Sequence, residues 1–288
     1  MALNLMKAIV ADRRIAGTRT AEQNEYLRWV SIGAAACVAT AAAIFGARIL
    51  AMVLVAWASW LLVDVSFAVT RRKPAGGGSL AFAMLFTLLC PPELPLWMIA
   101  VGAAFGCLFG KEVFGGTGHH LFNPALVGKA FLVFSYPSAT MGTYFGDLFG
   151  APQGDAWITA SGVTLAAALL LAWRSRGATW IYGGILLGMA GTAAAMEAAG
   201  TFPFETQLEL FVVNGALLSG CLLAVDPAGA PRDNNARLLY GLTIGICAVV
   251  MRTLSNYFEA MMCAILMGNL LAPTLDFMTA RRTEEVTG

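Results

Sequence analysis

The stretch FGKEVFGGTGHHLFNPALVGKAF, residues 109–131, holds much of the polar chemistry in an otherwise apolar chain. Lys111 stands close to glycines 110, 115, 116 and 118. Gly115 and Gly116 allow a tight turn and close approach of backbone to a ligand. Their exposed N–H groups, together with the Lys111 ammonium, suit an anionic or carbonyl-rich group. Asn123-Pro124 then marks a helix start, because proline is tolerated in the first helical turn. An ordinary interfacial loop would carry the same residues, and the spacing leaves both readings open. His119 and His120 are the only histidines, which excludes a multi-histidine haem or metal site within this chain, and no metal site is expected.

Carboxylates make the second group. Asp226 sits in AVDPAGAPRDNNARLLYG, residues 224–241, where Asp226-Pro227 and Pro231 interrupt a helix and Asp233, Asn234 and Asn235 add oxygens. Asp64 falls inside SWLLVDVSFAV, and Asp276 ends the run NLLAPTLDF. Acids at membrane depth are costly to bury and are functional candidates by default. A hydrated position at the membrane boundary is the alternative, and it applies best to Asp276. Asp64, seven residues before Arg71, is harder to account for that way.

The elements that must position these groups are membrane helices. Of the 288 residues 58% are hydrophobic and only 12% charged, against about a quarter charged in a soluble domain. Ten apolar segments are predicted, near 29–46, 49–70, 79–90, 96–110, 121–136, 158–173, 179–199, 209–225, 238–251 and 257–273. Several fall short of the roughly 20 residues of a simple span, so some helices are expected to be broken or tilted. The fold class is therefore an all-α polytopic membrane protein of about ten transmembrane helices, with two inverted five-helix halves as one arrangement of them. With the N-terminus inside, every Lys and Arg except Arg48, Arg252 and Lys129 lies on the cytoplasmic side, a strong positive-inside asymmetry. The division is a cytoplasmic segment at 1–28, one transmembrane domain at 29–276, and a cytoplasmic tail at 277–288. No cleavable leader is visible. The six cysteines are scattered without a C-x-x-C and read as packed thiols. A net charge of +1 argues against nucleic acid as a partner.

The block LCPPELPLWMIAVGAAFGCLFGKEVFGGTGHHLFNPALVGKAFLVFSYP, followed by AVDPAGAP and EAMMCAILMGNLLAPTLD, resembles the NqrB family, a membrane subunit of the sodium-translocating NADH:quinone reductase. The RnfD family, from the Rnf ferredoxin:NAD oxidoreductase, is its sister, and the form KEVFGGTG, NPAL, AF and YP is closer to the quinone-reductase branch. The likeness runs from about Val65 to the last apolar segment. It implies a ten-helix subunit of the bacterial inner (plasma) membrane that carries flavins within a redox pump, alongside other membrane and peripheral subunits. It implies one FMN joined through its phosphate to a hydroxyl on the extracytoplasmic side. A flavin transferase attaches it at a motif Asp-x-x-(Ser/Thr)-Gly-Ala-(Thr/Ser). Here DAWITAS matches at Asp155, Ala160 and Ser161 and departs at Ile158 and Thr159. Ser161 is the first choice of anchor. Thr164, in SGVT, is the second, with Asp155 then three residues too distant. Charge counting alone puts this site at the outer membrane face.

The resemblance also gives Asp64, Asp226 and Asp276 positions at which family members carry carboxylates implicated in sodium uptake, and oxygen ligands suit a hard cation. Lys111, Gly115, Gly116 and Asn123 would line a pocket near the inner face for a second, non-covalent flavin such as riboflavin, or for a quinone. No Rossmann fingerprint follows a strand, so this is not the NADH-binding subunit, and the chain is expected to be silent alone. The rival is a redox-silent transporter on the same scaffold. A third reading routes electrons outward to extracytoplasmic acceptors without pumping an ion.

Overall fold

The computed structural model describes residues 2–72, 77–140, 156–200, 219–255 and 259–287, and every element among them is helical. Asp155, most of the predicted span near 209–225 and most of the loop between 137 and 158 lie outside the described residues. The helices are α1 (Ala2–Phe45), α2 (Arg48–Arg71), α3 (Ser79–Leu88), α4 (Leu96–Cys107), α5 (Pro124–Ser135), α6 (Pro137–Thr140), α7 (Ala156–Arg174), α8 (Arg176–Ala198), α9 (Asn234–Ser255) and α10 (Ala260–Thr287). Two five-residue π-helical turns interrupt them, π1 (Leu108–Glu112) directly after α4 and π2 (Ser219–Leu223) before the second polar break.

Ten full spans do not appear. Among the described residues five helical stretches are long and apolar enough to cross a membrane: Ala21–Phe45, Arg48–Arg71, Gly177–Ala198, Asn234–Thr253 and Ala260–Thr279. The segments predicted at 79–90, 96–110 and 121–136 are helices of 10, 12 and 12 residues. At 1.5 Å rise per residue these reach only about 15–18 Å, half a hydrocarbon core. Each ends for a local reason. Pro91 and Pro92 stop α3, the wider coil of π1 ends α4, and Asn123-Pro124 forces a new start for α5. The predicted boundary at residue 28 is also absent, because α1 continues through it from Ala2 to Phe45.

Small residues let the helices approach closely. Gly184 and Gly188 of α8 face Gly241 and Gly245 of α9: a Cβ on Gly184 would lie 2.9 Å from the Leu242 nitrogen, and one on Gly245 would lie 2.8 Å from the Met189 nitrogen. A second seam sets Gly102 and Gly106 of α4 against α5, where a Cβ on Gly106 would come within 2.6 Å of the Pro124 carbonyl and one on Gly128 within 2.6 Å of the Gly102 carbonyl. Close backbone contact of this kind replaces the hydrophobic drive that lipid cannot supply between helices.

Helices α1 and α7 pack antiparallel. Arg174 pairs with Glu25 at 3.0 Å and lies over the Trp29 ring, Ala167 meets Gly33, and Thr164 Oγ1 lies 3.8 Å from Cys37 Sγ. Contacts at one end of the molecule tie Glu25, Arg174, the Arg237 guanidinium beside Gly177, and the Thr117–Gly77 hydrogen bond into one basic face. At the other end Arg48 donates to the carbonyls of Pro92, Glu93 and Leu94, clasping the turn between α3 and α4.

Candidate functional site

Asp64 is buried in α2, and its partner is Lys111. The ammonium donates to both carboxylate oxygens at 2.7 Å, with both side chains fully buried. Cys107 Sγ donates to the same carboxylate at 3.0 Å. Lys111 also lies 3.6 Å from Glu112, and Glu112 in turn pairs with Arg71 at 3.1 Å on the basic face. The charges thus alternate from the interior outward: Asp64, Lys111, Glu112, Arg71. The π turn makes this possible by burying two consecutive residues, Lys111 and Glu112, and π turns recur at functional sites. Lys111 therefore does not join the glycine turn that the sequence grouped it with.

That turn is real. Gly115, Gly116 and Gly118 take φ of 114°, 100° and 85°, values that favour glycine. The turn leads to Asn123, which does two things at once. Its Oδ1 accepts from the Ala125 N–H at 3.0 Å and caps α5, with Pro124 in the first turn. Its Nδ2 donates to Asp226 Oδ2 at 2.9 Å. His120 Nε2 lies 3.0 Å from the same oxygen, and Asp226 Oδ1 accepts from the Ala228 N–H. The two polar breaks, 103 residues apart from Asn123 to Asp226, meet on one buried carboxylate. Unsatisfied backbone inside a membrane survives only where other protein groups or a cavity answer it.

Residues that sequence reasoning passed over complete this junction. Tyr26 of α1 donates to the Leu222 carbonyl at 2.7 Å and lies within electrostatic reach of Asp226. Tyr240 donates to Asn269 Oδ1 at 2.6 Å. Gln23, His120 Nδ1 and Asn269 Nδ2 are buried polar groups without a hydrogen-bond partner among the described residues. No signal in the sequence separates Tyr26 or Gln23 from the other interfacial residues of α1. Asp276 is half-buried and accepts from the Arg232 N–H at 2.8 Å, which pins the second break to α10 near the basic face. It does not join Asp64 or Asp226 in one cluster.

Ser161 and Thr164 both lie on the stripe of α7 that faces α1, 7% and 3% exposed. They differ in how their hydroxyls are used. Thr164 Oγ1 contacts Cys37, whereas Ser161 Oγ is buried and has no partner among the described residues. Thirteen residues of helix place Ser161 about 20 Å from Arg174, toward the end of the molecule away from the basic face.

Comparison with known proteins fits this geometry. The chain is similar to proteins named as the NqrB subunit of the Na(+)-translocating NADH-quinone reductase. That of Klebsiella pneumoniae (strain 342) is 32% identical, the match covering 76% of this chain and 63% of the relative. That of Ectopseudomonas mendocina is 33% identical, covering 74% and 62%. That of Azotobacter vinelandii is 32% identical, again covering 74% and 62%. The chain thus spans less than two thirds of the length of these curated relatives. The family profile described as NQR2, RnfD, RnfE matches residues 17–284, which takes in both polar breaks and the α1–α7 seam, and the chain belongs to that family.

Proposed function

We propose that this chain is a membrane electron-transfer subunit of an Nqr- or Rnf-type ion-translocating oxidoreductase and carries covalent FMN on Ser161. The observation that carries the assignment is the unspent Ser161 hydroxyl, buried at the end of α7 away from the basic face. A serine in a helix usually returns its hydroxyl to the carbonyl one turn back; this one is left free to hold a phosphate ester. Thr164, engaged with Cys37, is the weaker anchor. FMN, when bound, supplies one- and two-electron transfer, while the protein positions and insulates it.

The chain's own residues do the rest. The Gly33–Ala167 contact fixes the depth of α7 against α1, so the anchor is held at one height in the bilayer. Because Ser161 faces α1, a flavin transferase reaches it only while that seam is open. At the basic face, which this reading sets in the cytoplasm, the 115–118 turn and the His120–Asn123–Asp226 junction offer polar groups for a second ligand, a non-covalent flavin or a quinone. Asp64, Asp226 and Asp276 supply carboxylates to an ion path, of which only Asp64 faces a lysine. Other membrane and peripheral subunits of the complex provide the electron donor and acceptor.

The burial of Ser161 favours one rival, a redox-silent transporter in which the α1–α7 seam never opens. One experiment separates the two. Full-length protein co-produced with a flavin transferase is denatured and read for in-gel flavin fluorescence, and the peptide around residues 155–165 is weighed. Fluorescence that Ser161→Ala abolishes and Thr164→Ala retains is the expected result. An unmodified peptide would remove the covalent flavin and leave the transporter.

A further inference from the structure

A second buried lysine–carboxylate pair plays no part in the redox reading. Lys129 Nζ lies 2.9 Å from Glu259 Oε1, with the side chains 0% and 7% exposed. Lys129 stands midway along α5, about 9 Å of helical rise beyond Asn123. Glu259 immediately precedes α10, and its carbonyl accepts from the Cys263 N–H at 3.1 Å. Cys90, directly before the Pro91-Pro92 turn, is within electrostatic reach of both charges, and Arg48 clasps that turn from α2. One turn before Cys90, Thr87 holds a buried hydroxyl with no partner among the described residues. The pair therefore lies toward the end of the molecule opposite Lys111–Asp64.

Such a pair is poor cement. A buried ion pair is often no more stabilising than apolar side chains of the same volume, and sometimes less so. Intramembrane charges that are kept therefore point to function. The same arrangement occurs twice here, at opposite ends of the short helices, each time a lysine against one acid. Lysine suits a movable role, since its ammonium is a compact charge on a flexible four-carbon stem, whereas an arginine fork would lock the contact.

We propose that Glu259 is a cation-binding carboxylate near the end of the molecule opposite Asp64, and that the Lys129 ammonium, 2.9 Å away, is the tethered ion that fills the site until a hard monovalent cation replaces it. This rests on the reading of the chain as an ion-translocating subunit. With Lys111 on Asp64 and Lys129 on Glu259, the route between them is shut at both ends. A cation enters at either end only as the ammonium withdraws, so its charge is exchanged for one already present and the interior never holds an unpaired acid.

The test uses the full chain purified from membranes, melted in sodium, lithium, potassium or choline chloride at constant ionic strength. Lys129→Met removes the tethered competitor. The sodium or lithium concentration giving half the maximal melting shift should fall about tenfold relative to the unsubstituted protein, since a ligand stabilises in proportion to its occupancy. Lys129→Met/Glu259→Gln, which leaves a neutral pair, should fold and lose the cation response. Identical melting of Lys129→Met in sodium and choline, or a sodium response that survives in the double variant, overturns the proposal. If Lys129→Met does not accumulate, radiolabelled sodium counterflow in proteoliposomes decides. Loss of counterflow in the double variant supports the site; counterflow at the unsubstituted level, or none in the unsubstituted protein, overturns it. Flavin content is read on the same samples. Flavin-free protein with a sodium response sinks the redox reading alone, and flavinylated protein without one sinks this inference alone.

Discussion

Asp64 receives three hydrogen bonds, two from Lys111 and one from Cys107, and at this scale the chain is a set of charges that cannot be altered singly. Removing one partner of a buried pair costs about 3–5 kcal/mol, whereas replacing both can be neutral. Lys111→Met should therefore lower the melting temperature sharply, and Asp64→Asn/Lys111→Met should recover most of the loss. A thermal melt of the detergent-purified chain reads this, and equal losses in the single and double variants would contradict it. The acid was legible in the sequence, because an aspartate deep in an apolar run is too costly to keep without a task or a partner. Its partner was not. Lys111 is adjacent to a glycine turn in sequence, and only the π turn rotates it onto α2. Lys129 and Glu259 were passed over for a related reason: a lone lysine in an apolar helix says nothing about which acid, 130 residues on, it meets.

The helices were legible as apolar segments, and their lengths were not. Hydropathy registers Leu, Phe and Ala in α3, α4 and α5 but not whether a segment crosses the bilayer, so ten segments became ten expected spans. The breaks carried the better signal, since Pro91-Pro92 and Asn123-Pro124 were visible as punctuation. The glycine seams are the other feature of this scale. Gly188→Leu would drive a branched side chain into the Leu242 carbonyl and the Gly245 backbone. It should part α8 from α9 and destabilise the chain by several kcal/mol, at or above the roughly 1–3 kcal/mol of ordinary overpacking because backbone cannot repack. Gly191→Leu, on the same helix with nothing within 4 Å of its Cβ position, is the control and should melt like the unsubstituted protein.

For the whole molecule, the uneven spread of basic residues predicted two unlike ends, and the contacts among Glu25, Arg174, Gly177 and Arg237 gather one of them. Which end faces the cytoplasm is testable. In intact cells producing an otherwise cysteine-free chain, a membrane-impermeant maleimide should label Glu93→Cys and reach Asn234→Cys only after permeabilisation. The opposite pattern would invert the proposed orientation. The meeting of the two polar breaks on Asp226 was beyond the sequence, since each break was visible but nothing along the chain says they touch.

Helix α5 is 12 residues long, about 18 Å, in a bilayer whose apolar layer measures about 30 Å. Voltage falls mainly across the part of a membrane that excludes water and ions, so polar breaks at the ends of α5 would squeeze most of the transmembrane potential into that short stretch. Any ammonium swinging there would act as a gating charge. A full traverse is biased by about 2.3 kcal/mol per 100 mV, so an energised cell would set the resting position of Lys129 electrically, before any chemistry occurs.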